Sequence, residues 1–127
     1  MKLYEKYSGQ ALKIAEKIQR RRLQLLVNSC IYYNKDNNII SDSQWDTWAK
    51  ELVVLQHDYP EISSTVIWAD EFRDWDGSTG AFLPLQDAWV IQKANSLTGI
   101  RRKINVAEIK SSNKKEIRIK NNTHKLF

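Results

Sequence analysis

The chain has 127 residues, 42% of them apolar, with five Trp and five Tyr but only four Gly and two Pro, and its formal net charge is +5. That suffices for one domain with one core, and it is too aromatic and too poor in turn formers for a disordered regulator. Apolar runs stay below the roughly 18 residues of a membrane span, MKLYEKYSGQ lacks the apolar stretch of a secretory leader, and the single Cys30 allows no internal disulfide. A cytoplasmic protein without membrane contact is the expectation.

The charge is unevenly spread. Residues 1–30 carry seven basic and two acidic groups, residues 31–90 three and eleven, and residues 91–127 ten and two, so an acidic middle lies between basic flanks. The ends can neutralise the middle, or they can face a phosphate backbone.

From Ser8 to about Asn34, Ile14, Ile18, Leu25, Leu26, Cys30 and Tyr33 recur at steps near three and four, which predicts one long helix. Arg20, Arg21 and Arg22 fan over about 200° of it. A solvated face and a phosphate clamp are both open for them. Cys30 is expected to be a small core residue. The cluster Lys35-Asp36-Asn37-Asn38 predicts a turn.

A second helix is signalled by Ser41 as N-cap with Gln44 three residues on, and by Ile40 and Trp45 spaced as a hydrophobic staple. Its apolar face, Trp45, Trp48, Ala49, Leu52 and Leu55, should dock on the first helix, and Pro60 ends it. Asp42 and Asp46 stand one turn apart on the rim of that face.

Residues 65–85 read as a structured loop with a turn at Asp76-Gly77. In EFRDWDGSTG, turn chemistry and a ligand loop are both open, although the spacing does not fit an EF-hand. A third helix is expected from Gln86 to about Leu97 on Ala88, Trp89, Ile91 and Ala94, ending near Gly99. Ile104, Val106, Ile117 and Ile119 alternate with polar neighbours, predicting a basic β-hairpin. The expected fold is therefore mainly α: one compact helical domain over residues 1–120 with a small hairpin at 100–120, and a frayed tail at 121–127. His57 and His124 are isolated, and no Cys/His pair has zinc spacing, so no metal site is expected.

The stretch YYNKDNNIISDSQWD at 32–46 is the densest in the chain. Capping explains Ser41, Asp42 and Gln44, and leaves Tyr32, Tyr33 and Asp46 over. Two phenols at the end of one helix facing an indole and two carboxylates at the start of the next could sandwich a flat cationic ring with ribose hydroxyls nearby. An ordinary aromatic core is the other reading.

IYYNKDNNIISDSQWDTWAKELVVLQHDYPEI, residues 31–62 and about a quarter of the chain, resembles the N-terminal helical module of NAD-dependent bacterial DNA ligases. That pattern runs Tyr-Tyr-Val-x-Asp-x-Pro-x-Ile-Ser-Asp-Ala-Glu-Tyr-Asp, then Glu-Leu-x-x-Leu-Glu and His-Pro-Glu-Leu, and the spacing holds without a gap. The resemblance implies binding of the nicotinamide mononucleotide (NMN) half of NAD, with Tyr32 and Trp45 stacking and Asp42 and Asp46 as polar contacts. Tyr33 falls where the family carries Tyr or His. Trp45 stands for a tyrosine and Asn38 for a proline. The ligase nucleophile is the lysine of Lys-x-Asp-Gly, and Asp74-Trp75-Asp76-Gly77 places an aspartate there, so adenylation is not expected. The chain is similar to stand-alone ligase-like proteins of bacteriophages, whose role the resemblance does not settle; the expectation is a non-catalytic protein in the host cytoplasm that keeps an NAD- or NMN-binding shape and acts by binding, with a host protein, including one of a defence system, as the partner. The alternative expectation is nucleic-acid binding through Arg20, Arg21, Arg22, Arg101, Arg102, Lys103, Lys114, Lys115, Arg118 and Lys120.

Overall fold

The computed structural model describes residues 2–35 and 39–110, with side chains other than that of Lys35 described as far as Gly99. Among the described residues five helices follow one another: α1 (Leu3–Lys6), α2 (Gly9–Lys35), α3 (Asp42–Asp58), α4 (Pro60–Ser63) and α5 (Ala88–Lys110).

α2 is the axis of the molecule. Its residues from Gln24 to Ile31 are all buried. Eight consecutive buried positions span more than two turns, so the helix must be covered on every side there. α3 packs on one flank and α5 on another, and the loop after α4 closes the remainder through Leu83 and Leu85. The polar residues enclosed in this stretch are tied locally: Asn28 donates to the Gln24 carbonyl at 2.8 Å and the Cys30 thiol to the Leu85 carbonyl at 3.5 Å. Cys30 is a fully buried core residue, as its position on the apolar face predicts.

α3 begins where the cap predicts. Ser41 is extended, and its hydroxyl accepts from the Gln44 amide at 3.1 Å. The same hydroxyl also pairs with that of Ser43 at 3.2 Å. Ala49 and Leu52 are buried, with Trp45, Trp48 and Leu55 packed beside them. The seam with α2 is edged by Glu51, which lies 2.7 Å from Lys17 and 3.5 Å from Arg21, while Arg21 sits over the Trp48 ring. Burial works to raise the Glu51 carboxyl, but the hydrogen bond and charge of Lys17, with those of Arg21, outweigh it and hold the group below its ordinary value. A depressed folded value stabilises the fold above pH 4.5, the ordinary value, and that contribution fades as pH falls through the lowered one. Glu51→Gln should therefore cost about 0.5–1 kcal/mol at neutral pH, and the loss should shrink in acid below pH 4.5. Thermal melts across that range check it; a pH-independent loss would mean that packing, not charge, is what Glu51 supplies.

The three consecutive arginines meet three different fates. Arg20 is exposed and Arg21 half-buried. Arg22 is 1% exposed, at the centre of the molecule. All five of its N–H donors are used: Nε bonds Gln56 at 2.9 Å, Nη1 bonds the Val66 and Ile67 carbonyls at 3.0 and 3.2 Å, and Nη2 bonds the Ser63 carbonyl and hydroxyl at 3.1 and 2.6 Å. Its face rests against Phe72. Burial pushes the guanidinium down to about 10, with Glu71 opposing, which leaves it charged at neutral pH. Arg22 is thus the clamp that gathers the chain after α4. The chain reverses immediately beyond it at Trp68, whose φ of 71° is left-handed for a bulky residue, a conformation held only where surroundings overdetermine it.

Residues 64–87 are a succession of turns anchored by Val66, Phe72, Leu83 and Leu85. The Tyr7 hydroxyl bonds Thr65 at 2.7 Å and so ties the N-terminal segment, including the unanticipated α1, to this region.

The C-terminal expectation is corrected. No strand occurs among the described residues, and α5 passes through Gly99, Ile104 and Val106 to Lys110. A glycine inside a helix costs about 1 kcal/mol relative to alanine, which weakens a helix without ending it. Ile100, Ile104 and Ala107 recur at helical steps, and that period outweighs a two-residue alternation. Asp87 caps α5 by accepting from the Trp89 and Val90 amides, and the buried face is Val90, Ala94 and Leu97; Ala88 and Trp89 point outward. The predicted turn at 36–38, the second hairpin arm with Ile117 and Ile119, and the tail at 121–127 lie outside the described residues.

Candidate functional site

Helix spacing places three residues on one face at i, i+3 and i+4. α2 uses it near its C-terminal end for Ser29, Tyr32 and Tyr33; α3 uses it in its first turns for Asp42, Trp45 and Asp46. Because α3 folds back against α2, the two triplets face one crevice of about 330 Å³, whose wall is completed by Asn28, by Ile39, Ile40 and Ser41 between the helices, and by Ser78, Thr79 and Gly80. All five residues singled out from the sequence, Tyr32, Tyr33, Asp42, Trp45 and Asp46, line it.

These aromatics are not a sealed core. Tyr32 and Tyr33 are 51% and 47% exposed, and they meet edge to face at 4.8 Å. Trp45 is fixed from behind: its indole N–H donates to the Ser29 hydroxyl at 3.2 Å, and its ring meets Trp75 at 6.0 Å in a T-shaped pair. Trp75 in turn stands edge-on to Phe72 at 5.2 Å. A rigid stack therefore supports one wall, while the two phenols at the other remain open to solvent. Asp42 and Asp46 are exposed at the lip, and Asp42 lies in the first turn of α3, where the helix dipole favours a negative charge.

The third wall is the DGSTG turn, which the sequence left open between a turn and a ligand loop. It is a turn that lines the crevice. Asp76 accepts from the Ser78 amide at 2.9 Å and the Ser78 hydroxyl at 2.7 Å, and these bonds hold its carboxylate below the usual range. Gly77 adopts a φ of +81°, and a Cβ there would stand 3.0 Å from Val53. The Thr79 carbonyl takes the Trp75 indole N–H at 2.7 Å, and its hydroxyl pairs with that of Tyr33 at 3.0 Å across the crevice. Gly80 lies so close to α2 that a Cβ would fall 2.1 Å from the Ser29 hydroxyl.

Sequence reasoning missed Asn28, Ser29 and Ile39 as wall residues. For Ser29 the signal was present, one turn before Tyr32 and Tyr33. For Asn28 it was not. Its side chain is 5% exposed, and its Oδ1 has no hydrogen-bond partner among the described residues.

Of the residues of the nucleic-acid alternative, Arg20, Arg21 and Arg22 have described side chains, and these three do not share one surface. Arg22 is interior, Arg21 is engaged by Gln24 at 2.7 Å and by Glu51, and Arg20 is left exposed. Arg101, Arg102 and Lys103 fall in the backbone of α5, while Lys114, Lys115, Arg118 and Lys120 lie outside the described residues. Asp74 is exposed in a turn. Among the described residues no group of His, Cys, Asp and Glu is placed to hold a metal ion, and no helix is long and apolar enough to cross a membrane.

Residues 11–65, which contain α3 and nearly all of α2, match the sequence model of a family described as DNA ligase-like, N-terminal NAD+-binding domain. The match covers 55 of the 127 residues and stops short of the DGSTG wall. No curated protein and no solved structure matches the chain.

Proposed function

We propose that the crevice between α2 and α3 binds the nicotinamide mononucleotide portion of NAD, and that the protein acts by binding and not by catalysis. The observation that carries this reading is the facing pair of triplets, Ser29/Tyr32/Tyr33 and Asp42/Trp45/Asp46, inside the segment that matches an NAD+-binding family. Aromatic faces suit the nicotinamide ring, and carboxylates and hydroxyls suit ribose hydroxyls. The non-catalytic part rests on Asp74, a carboxylate where the ligase nucleophile would be. A module of this kind works through what it binds. In the bacteriophage setting that the resemblance implies, its target is a host protein, with a defence system among the candidates. Nucleic-acid binding ranks second, because Arg22 has no donor left for phosphate and Arg21 is already engaged.

Trp45 reports directly on the crevice. NMN or NAD should quench tryptophan fluorescence with measurable heat, and Tyr32→Ala should weaken binding about five- to tenfold, the value of one lost stacking contact. Asp46→Ala should weaken it as well. Both side chains are exposed, so neither substitution should unfold the protein. Absence of quenching and of heat at millimolar ligand would remove this reading.

A further inference from the structure

Asp76-Gly77 is the one place in the sequence where glycine follows an aspartate or an asparagine. We infer that this peptide bond is a site of aspartate isomerisation, and that the Ser78 hydroxyl is the group that holds the reaction back. The inference is independent of what the crevice binds. In this chemistry the Gly77 amide nitrogen attacks Cγ of Asp76 and forms a C–N bond, while the carboxyl hydroxyl leaves with the amide proton as water. A succinimide ring results. Water then adds back at either imide carbonyl: opening at Cγ restores aspartate, and opening at the main-chain carbonyl leaves isoaspartate, with the backbone routed through Cβ and Cγ. One water leaves and one returns, so no other reactant is needed.

The turn both exposes this chemistry and restrains it. Asp76 is open to water. Gly77 puts no Cβ beside the attacking nitrogen, and its φ of +81° suits glycine and few other residues, so the fold retains the vulnerable pair. Against the reaction, one carboxylate oxygen of Asp76 accepts from the Ser78 hydroxyl at 2.7 Å and from the Ser78 amide at 2.9 Å. The carboxyl cannot swing over the Gly77 nitrogen without breaking both bonds. The same bonds, the hydroxyl's first, hold the group below its ordinary value. Only the neutral acid can release its oxygen as water, and its share at neutral pH falls about tenfold for each unit of lowering. The pairs Asn28-Ser29, Asp42-Ser43 and Asn95-Ser96 lie inside α2, α3 and α5, where helical hydrogen bonds fix the backbone. The product does not fit the turn. A Cβ on Gly77 would already stand 3.0 Å from Val53, and one on Gly80 2.1 Å from the Ser29 hydroxyl, so an extra backbone carbon has no slack to enter.

Ageing the full chain at neutral pH tests this, with isoaspartate read as methyl groups accepted from an isoaspartyl methyltransferase and placed by peptide mapping. Isoaspartate should accumulate at residue 76 and not at Asn28, Asp42 or Asn95. Ser78→Ala keeps the amide bond and loses the hydroxyl, on a side chain exposed enough for the fold to survive, and should raise the rate about three- to tenfold. Ser78→Thr restores the hydroxyl and should return the rate to that of the parent. An unchanged or slower rate in Ser78→Ala overturns the restraint, as does a rise shared by Asn28 and Asn95, which would report a loosened chain. No isoaspartate at residue 76 in either folded protein overturns the site, and the parent chain aged in urea shows that the assay detects it there.

Discussion

Replacing Arg22 with alanine or methionine should destabilise the protein by about 3–5 kcal/mol, the cost of breaking a fully satisfied buried charge network from one side. The guanidinium holds the carbonyls of Ser63, Val66 and Ile67, the Ser63 hydroxyl and the Gln56 side chain. Without it the Val66 carbonyl and both Ser63 oxygens stay buried and unpaired, each at roughly 1–3 kcal/mol before relaxation. Against a domain stability of about 5–15 kcal/mol, the fall in melting temperature should be roughly 10–20 °C. Arg22→Lys should recover little, because one ammonium cannot span acceptors that a planar fork reaches from both sides. Arg20→Ala, on the exposed neighbour, should stay within about 0.5 kcal/mol of the parent. Urea denaturation of the four variants and the parent is the measurement. A stable Arg22→Met variant would mean that the segment from Ser63 to Trp68 holds its path without the clamp, and the left-handed Trp68 would then need another cause.

The second large effect is expected at Gly80. An alanine there would place its Cβ 2.1 Å from the Ser29 hydroxyl, 2.7 Å from the Ser29 Cβ and 3.4 Å from the Trp45 ring. The hydroxyl is held by the Trp45 indole, so it cannot rotate aside without freeing that donor. The loop must move instead, and Thr79 moves with it. Gly80→Ala should cost about 1–3 kcal/mol, the usual range for overpacking, and should also weaken any ligand of the crevice by displacing the wall that Thr79 forms with Tyr33. Ser29→Gly in the same chain removes the collision at a helix-propensity cost of about 1 kcal/mol. The two substitutions should therefore be less than additive, which a double-mutant cycle reads directly. Full additivity would place the strain somewhere other than this contact.

Much of the site was legible along the chain, because helical period is a local property. Residues 29, 32 and 33, and 42, 45 and 46, share faces wherever a helix forms, and the Ser41 cap marks where the second helix starts. Asp76-Gly77 likewise declares a turn through local side-chain and φ chemistry. The arginine run shows where this stops. Ile18, Arg22, Leu25 and Leu26 share the apolar stripe of α2, a signal that was present, but a charged residue on such a stripe buries only if another part of the chain supplies acceptors. Those acceptors lie more than 30 residues away in sequence. The predicted hairpin failed for the opposite reason: Ile104 and Val106 alternate over too short a stretch to compete with the helical period running through them.

What the sequence by itself determined, then, is the set of elements with short-range causes: the long α2, the capped α3, the Asp76 turn, and the shared faces of the two triplets, one carrying two phenols and the other an indole between two carboxylates. Only the tertiary structure decided that the DGSTG turn is the third wall of the crevice, that Arg22 is a scaffold and not a surface charge, and that Asn28 is enclosed beside the crevice. Those facts depend on which distant backbone approaches a given helix face, and close approach is set by packing across the whole chain.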